Sequence, residues 1–296
     1  MSDTWPGDSK RITREYFDSL LIEMRHFGAV LPETSMNLYG EKFDTPIMTA
    51  ALSHLDNLYE GGLAEMAKGA KAANACMWAG WGDDDELERI TATGAKTIKI
   101  IKPKVDEDIV FHRIKHAEKC GCIAVGMDLD HAFNGVGGYD VLSGVQMIGK
   151  SLHDVKRYVN ATKLPFIIKG VLSVHDAVKC VEAGVQGIVV SHHSGIMNYA
   201  VPPLMVLPKI VEAVGGKMKI FVDCGLESGY DVFKALALGA DAISLGRVML
   251  DSFSKKGAPA VTEMIQNMTG ELAGIMAKTC SPNITSIDPT LIHKTR

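Results

Sequence analysis

The chain has 296 residues, 47% apolar and 22% charged, with 31 Lys and Arg against 35 Asp and Glu for a formal net charge of −4. That balance is ordinary for a globular enzyme. It excludes a broad nucleic-acid footprint, which needs clustered excess Lys and Arg, and no stretch reaches the ~18–20 apolar residues of a membrane-spanning helix.

The chain opens Met1-Ser2-Asp3-Thr4-Trp5-Pro6, with no basic segment leading into an apolar one, so no secretory signal and a cytoplasmic location are expected. The cysteines at 76, 120, 122, 180, 224 and 280 are then expected to be reduced, and Cys120-Gly121-Cys122 is read as structural. Residues 1–45 read as a capping segment, with a helix over Arg14–Met24 and part of a hairpin at Leu38-Tyr39-Gly40. Eight short apolar runs follow: Pro46–Ala51, Ala75–Ala79, Thr97–Ile101, Ile123–Met127, Phe166–Ile168, Gly187–Val190, Ile220–Val222 and Ala242–Leu245. Several are continuous rather than alternating, as strands buried on both faces are. Between them lie amphipathic stretches such as Asp106–Lys119, Ser173–Ala183 and Asp231–Ala237, ended by Gly121, Gly184 and Gly239. A glycine after the last turn suits the left-handed helix cap. Eight strands alternating with helices predict a (β/α)8 TIM barrel in one domain over residues 46–280; a doubly wound open sheet is the alternative. A Gly-rich excursion spans 131–150 on the C-terminal face, and residues 281–296 read as a tail or an oligomer contact.

Titratable residues at the ends of the strands carry the functional signal. Lys169 closes the fifth run, Asp128, Asp130 and His131 follow the fourth, and Ser191, His192 and His193 follow the sixth. Asp223 closes the seventh and Gly246-Arg247 follow the eighth. In a barrel these converge on the mouth where active sites sit. The Gly-rich stretches Asp223–Gly229 and Ser244–Arg247 lie after strands seven and eight, the common phosphate site of barrels. Backbone N–H groups at a helix start and an arginine fork suit an anion there.

Lys163–Val171, Gly187–His193, Phe221–Gly225, Gly229–Ala240 and Gly246-Arg247, in this order, resemble the FMN-dependent α-hydroxy-acid oxidase and dehydrogenase family, whose members include glycolate oxidase, lactate oxidase and mandelate dehydrogenase. The resemblance implies bound FMN and hydride transfer from a hydroxyl-bearing carbon. It places the catalytic base on His193, its paired carboxylate on Asp130, where the family reads Thr-Val-Asp, and the flavin-side cation on Lys169. It assigns the phosphate to Gly225, Gly246 and Arg247, and the ring surroundings to Thr49, Ala50, Ala51, Asp128, Ser191 and Asp223. Lys99 replaces a glutamine of the family. A small-molecule substrate, a cytoplasmic homo-oligomer (a tetramer) and no resident metal complete the expectation.

The substrate side departs from the pattern. The family holds a carboxylate with two arginines and a tyrosine. Ile196 stands three residues after His193, and Phe133 three after Asp130, where those arginines belong; strand three has no tyrosine. A pocket of His131, Phe133, His192, Ile196 and Met197 is expected instead. Trp78 and Trp81 suit either the pocket wall or the core. A flavin-dependent isomerase, a metal-assisted barrel enzyme using Asp128, Asp130, His131, His192 and His193, and a non-catalytic flavin binder are the alternatives.

Overall fold

The computed structural model describes residues 6–295. Its centre is a ring of eight parallel strands: β1 (Ile47–Thr49), β2 (Met77–Ala79), β3 (Thr97–Ile101), β4 (Ala124–Asp128), β5 (Phe166–Val171), β6 (Gly187–Val190), β7 (Lys219–Val222) and β8 (Ala242–Leu245). Neighbours run β1-β8-β7-β6-β5-β4-β3-β2. The ring closes between β1 and β2 through a parallel bridge from Leu52 to Ala79 and a 2.9 Å bond from the Gly80 N–H to the Leu52 carbonyl. The fold is therefore a (β/α)8 barrel, not an open sheet.

The strands form where the apolar runs lie because they are covered on both faces. All five residues of β3 and of β4 are buried, as are all four of β6 and β8. Several of the helices outside begin on side-chain caps. Asp106 accepts N–H bonds from Asp108 and Ile109 at the start of Glu107–Lys119, Ser173 caps Val174–Ala183 and Ser228 caps Gly229–Ala237. Such caps satisfy N–H groups that have no partner inside the helix.

A hairpin of Met36–Leu38 and Glu41–Phe43 closes the bottom of the barrel. Its turn residues Tyr39 and Gly40 have φ of 50° and 87°, as a tight two-residue hairpin turn requires. The Tyr39 hydroxyl donates to the Gln186 carbonyl at 3.1 Å. Gly187 makes room for it, since a Cβ there would lie 2.5 Å from that hydroxyl.

The N-terminal helix differs from the expectation of Arg14–Met24. It spans Ser9–Asp18, capped by Asp8, and Leu20–Ile22 then pairs antiparallel with Ile292–Lys294. The apolar residues after Asp18 serve this strand, whose partner lies at the far end of the chain. Trp78 is core: it is 1% exposed, its ring N–H lies 3.2 Å from the Met48 sulfur, and it meets Phe221 edge-on at 5.3 Å. Trp81 is half-buried, with the Lys104 ammonium 4.7 Å above its ring. No helix among the described residues is long and apolar enough to cross a membrane.

Candidate active site

The C-terminal ends of β4 to β8 converge as the sequence pattern predicts. Parallel pairing sets Lys169 beside Asp128 on one side and Val189 on the other. The Lys169 ammonium is buried, 3.2 Å from Asp128 Oδ1 and 3.6 Å from Asp223 Oδ2. Burial opposes its charge, but Asp128 and Asp223 outweigh that and raise its pKa above the ordinary lysine range. Asp128 is 2% exposed. Burial opposes its charge too, and Lys169 and Lys102 outweigh it, holding the carboxyl far below the usual range. Lys102 donates to Asp128 Oδ2 at 2.6 Å.

After β6 the chain turns sharply. His193, Ser194 and Gly195 have φ of 51°, 59° and 85°. Non-glycine residues in this region are strained and need surrounding contacts to hold them. Here the His193 N–H donates to Ser191 Oγ at 3.0 Å and the Ser194 N–H to the Cys224 sulfur at 3.1 Å. The turn aims the His193 ring at the mouth. Its Nδ1 lies 3.1 Å from both carboxylate oxygens of Asp130, 3.1 Å from the Lys169 ammonium and 3.6 Å from Asp128. Its Nε2 lies 3.1 Å from Nε2 of His131, whose Nδ1 faces Asp140 at 3.0 Å.

Beside this cluster a cavity of about 420 Å³ opens at the ends of β1, β5, β7 and β8. Ala50, Ala51, Lys169, His192, His193, Asp223, Gly225, Gly246 and Arg247 line it, as does the N-terminal helix through Lys10, Thr13 and Arg14. Of the other candidates, Thr49 is turned toward β2, accepting the Trp78 N–H at 2.9 Å. Lys99 is buried and donates to the Gly80 carbonyl, and Ser191 supports the His193 turn. His192 has both ring nitrogens engaged, Nε2 with the Thr13 hydroxyl at 2.8 Å and Nδ1 with the Gly195 N–H at 2.9 Å. Phe133 is exposed and stacks on Tyr139 at 5.5 Å; Ile196 and Met197 are also exposed, and none of the three lines the cavity. Asp128, Asp130, His131 and His193 present ligand atoms within 4.8 Å of one another, the constellation of the metal reading. The Lys169 ammonium sits among them and, with Lys102, already supplies the positive charge a metal would bring.

The family model for FMN-dependent dehydrogenases matches residues 2–152 and 146–294. The chain belongs to the FMN-dependent dehydrogenase family. It is 30% identical to the peroxisomal (S)-2-hydroxyacid oxidase GLO3 of Arabidopsis thaliana, the alignment covering 86% of this chain and 79% of the relative. To the L-lactate oxidase of Roseobacter sp. (strain GAI101) it is 26% identical, over 88% and 79% of the two chains. A mandelate oxidase variant with a monooxide FMN adduct superposes with a TM-score of 0.88 at 26% identity, covering 99% of this chain and 93% of that one. This family member is thus an FMN-dependent oxidoreductase.

The donor set fits the cofactor. Lys10, Arg14, Lys169 and Arg247 in the cavity wall outnumber Asp223 and Glu227, which suits a phosphate-bearing ligand. The cradle differs from the expectation in one respect. The N–H groups at the start of Gly229–Ala237 are taken, since Glu227 and Gly229 donate to Asp231 and Glu271. A phosphate is left with Arg247, Lys10 and the backbone of the Gly225 and Gly246 turns. Lys10 and Arg14 carry no motif; only their spacing of four on one helix face could have marked them. Lys102 and Asp140 escaped notice because tertiary contacts alone bring them to the site. The fourth strand ends at Asp128, so Gly126-Met127-Asp128 fits the family's Thr-Val-Asp as well as the frame ending at Asp130 does. In that frame the residue three further on is His131.

Proposed function

We propose that this enzyme moves a hydride equivalent from a hydroxyl-bearing carbon to FMN, with His193 as the base. The observation that carries the reading is the His193–Asp130 pair beside buried Lys169 at the cavity edge. When bound, FMN supplies the two-electron acceptor. Asp130 orients the His193 ring by accepting its Nδ1 proton, leaving Nε2 to take the substrate hydroxyl proton. Lys169, held charged by two carboxylates, offers fixed positive charge where electron density builds up. Asp128 and Lys102 complete the buried charge set and keep Lys169 in place.

The substrate is not a simple 2-hydroxy acid. Neither Ile196 nor Phe133 can bond a carboxylate, and both are exposed apolar side chains on the segments after β6 and β4. A larger, less acidic alcohol suits such side chains, with its polar group directed to His131. The tetrameric, cytoplasmic state belongs to the same reading and is checked by light scattering and cell fractionation. The functional test is anaerobic mixing of the FMN-loaded protein with a panel of hydroxy acids, hydroxy amides and hydroxy esters. Reduction by the uncharged compounds supports the reading, and reduction by the acids alone overturns the substrate assignment.

A further inference from the structure

The contacts of His193 contain a proton count. Asp130, His193, His131 and Asp140 form a chain of three contacts at 3.1, 3.1 and 3.0 Å. The carboxylates at its ends only accept, so three N–H groups are needed between the two rings for all three contacts to be hydrogen bonds. Two neutral imidazoles carry two. The third proton is the one a base gains when it has done its work. Lys169 also faces Nδ1 at 3.1 Å and only donates, so Nδ1 either accepts from Lys169 in neutral His193 or carries a proton toward Asp130 in protonated His193; in both arrangements the Nε2–H of His193 lies on His131.

We infer that His131, with its tautomer fixed by Asp140, is a positioning residue that accepts the Nε2–H of protonated His193 and passes that proton toward the surface loop. The inference rests on the reading of His193 as the base. Asp140 takes the Nδ1–H of His131, which leaves the Nε2 lone pair facing His193, as a carboxylate sets a histidine tautomer elsewhere. Burial and the nearby Lys102 hold His131 toward its neutral form, so it is an acceptor and not a second cation. The groups facing the two rings are Asp128, Asp130, Lys169 and Lys102 from β3, β4 and β5 and the turns after them, and Asp140 from the Gly-rich excursion. Asp140 lies on that excursion, and its carboxylate is partly exposed to solvent. The step is balanced: the Nε2–H bond of His193 breaks, an Nε2–H bond of His131 forms, and the Nδ1 proton of His131 leaves by way of Asp140 to water.

The test is nitrogen-15 NMR of histidine-labelled, FMN-loaded protein, with the His193 signal assigned by its loss in His193→Gln. In His131→Ala the pH at which His193 gives up its second proton should fall by about one unit, the worth of one hydrogen bond to a charged group. Asp140→Asn should shift it in the same direction by less. His131→Gln, whose side-chain carbonyl can accept the same proton, should restore most of the wild-type midpoint. Flavin absorbance should be unchanged in all three, which a general loss of structure would not allow. An unchanged midpoint in both His131→Ala and Asp140→Asn would overturn the inference. So would an upward shift, which would make His131 a cation, or a stoichiometric metal that disappears in His131→Ala. Failure of the underlying reading looks different: His193→Gln would reduce FMN with substrate at the wild-type rate while the midpoint shifts persist.

Discussion

Asp128→Asn should destabilise the protein far more than an ordinary surface change. Asp128 is buried between Lys169 at 3.2 Å and Lys102 at 2.6 Å, and its Oδ1 makes no hydrogen bond. Its charge pairs with Lys102 and, together with Asp223, offsets that of Lys169. Removing one partner of a buried ion pair costs roughly 3–5 kcal/mol, because the other charge is left uncompensated. With an unfolding entropy of ~2.1 cal/mol/K per residue, a chain of this length has about 0.6 kcal/mol/K, so the melting temperature should fall by about 5–8 °C at pH 7. The pH dependence fixes the cause. The folded carboxyl lies far below its unfolded value of 3.8, so its contribution is complete above that pH and is lost as pH falls through the folded value. Urea midpoints of wild type and variant, measured from pH 7 down to 3, should stay apart to about pH 4 and then converge by up to ~1.4 kcal/mol per unit. A variant as stable as wild type at pH 7, or a gap that persists unchanged to pH 3, would refute the charge argument.

Lys99→Met should stabilise the fold. Burial pushes the Lys99 ammonium down from 10.5 to about 8, so the folded state carries a penalty of up to about 3 kcal/mol below pH 8. Wild-type stability should rise between those two values, and the advantage of the variant, read from urea midpoints at pH 7 and 10, should shrink over the same window. Arg247→Ala should weaken FMN binding by roughly 10–100-fold in a fluorescence titration, the worth of a charge-assisted contact. Glu227→Gln should tighten binding several-fold by removing an anion from the phosphate side of the cavity. Glycolate, lactate and mandelate should reduce the bound flavin at least 10²-fold more slowly than an uncharged hydroxyl substrate of matched size, since roughly 3–6 kcal/mol of arginine contacts is missing; rapid bleaching by any of the three would point to another carboxylate anchor.

The barrel was legible because its strands are continuous apolar runs and several of its helices begin on Ser and Asp caps and end at or just before glycines, all local signals. The N-terminal helix was misplaced because Leu20–Ile22 pairs with Ile292–Lys294, and no local signal reports so distant a partner. The mouth residues were legible through their position after each strand. What they touch was not: His131 reads as a pocket residue until Asp140 and His193 are seen on either side of it. His192 reads as a substrate donor until Thr13 and Gly195 are seen to occupy both its nitrogens. Trp78 was ambiguous because a buried strand offers no polar face to show which way a side chain points.

The central claim is that His193 is the base of an alcohol-oxidising flavin site, and single-turnover reduction under anaerobic conditions tests it most directly. FMN-loaded wild type and His193→Gln are mixed with the hydroxyl substrate found in the panel, and the flavin band is followed. The account predicts full reduction in wild type and a rate roughly 10²–10⁴-fold lower in the variant, with FMN still bound. Equal rates in the two proteins would contradict it.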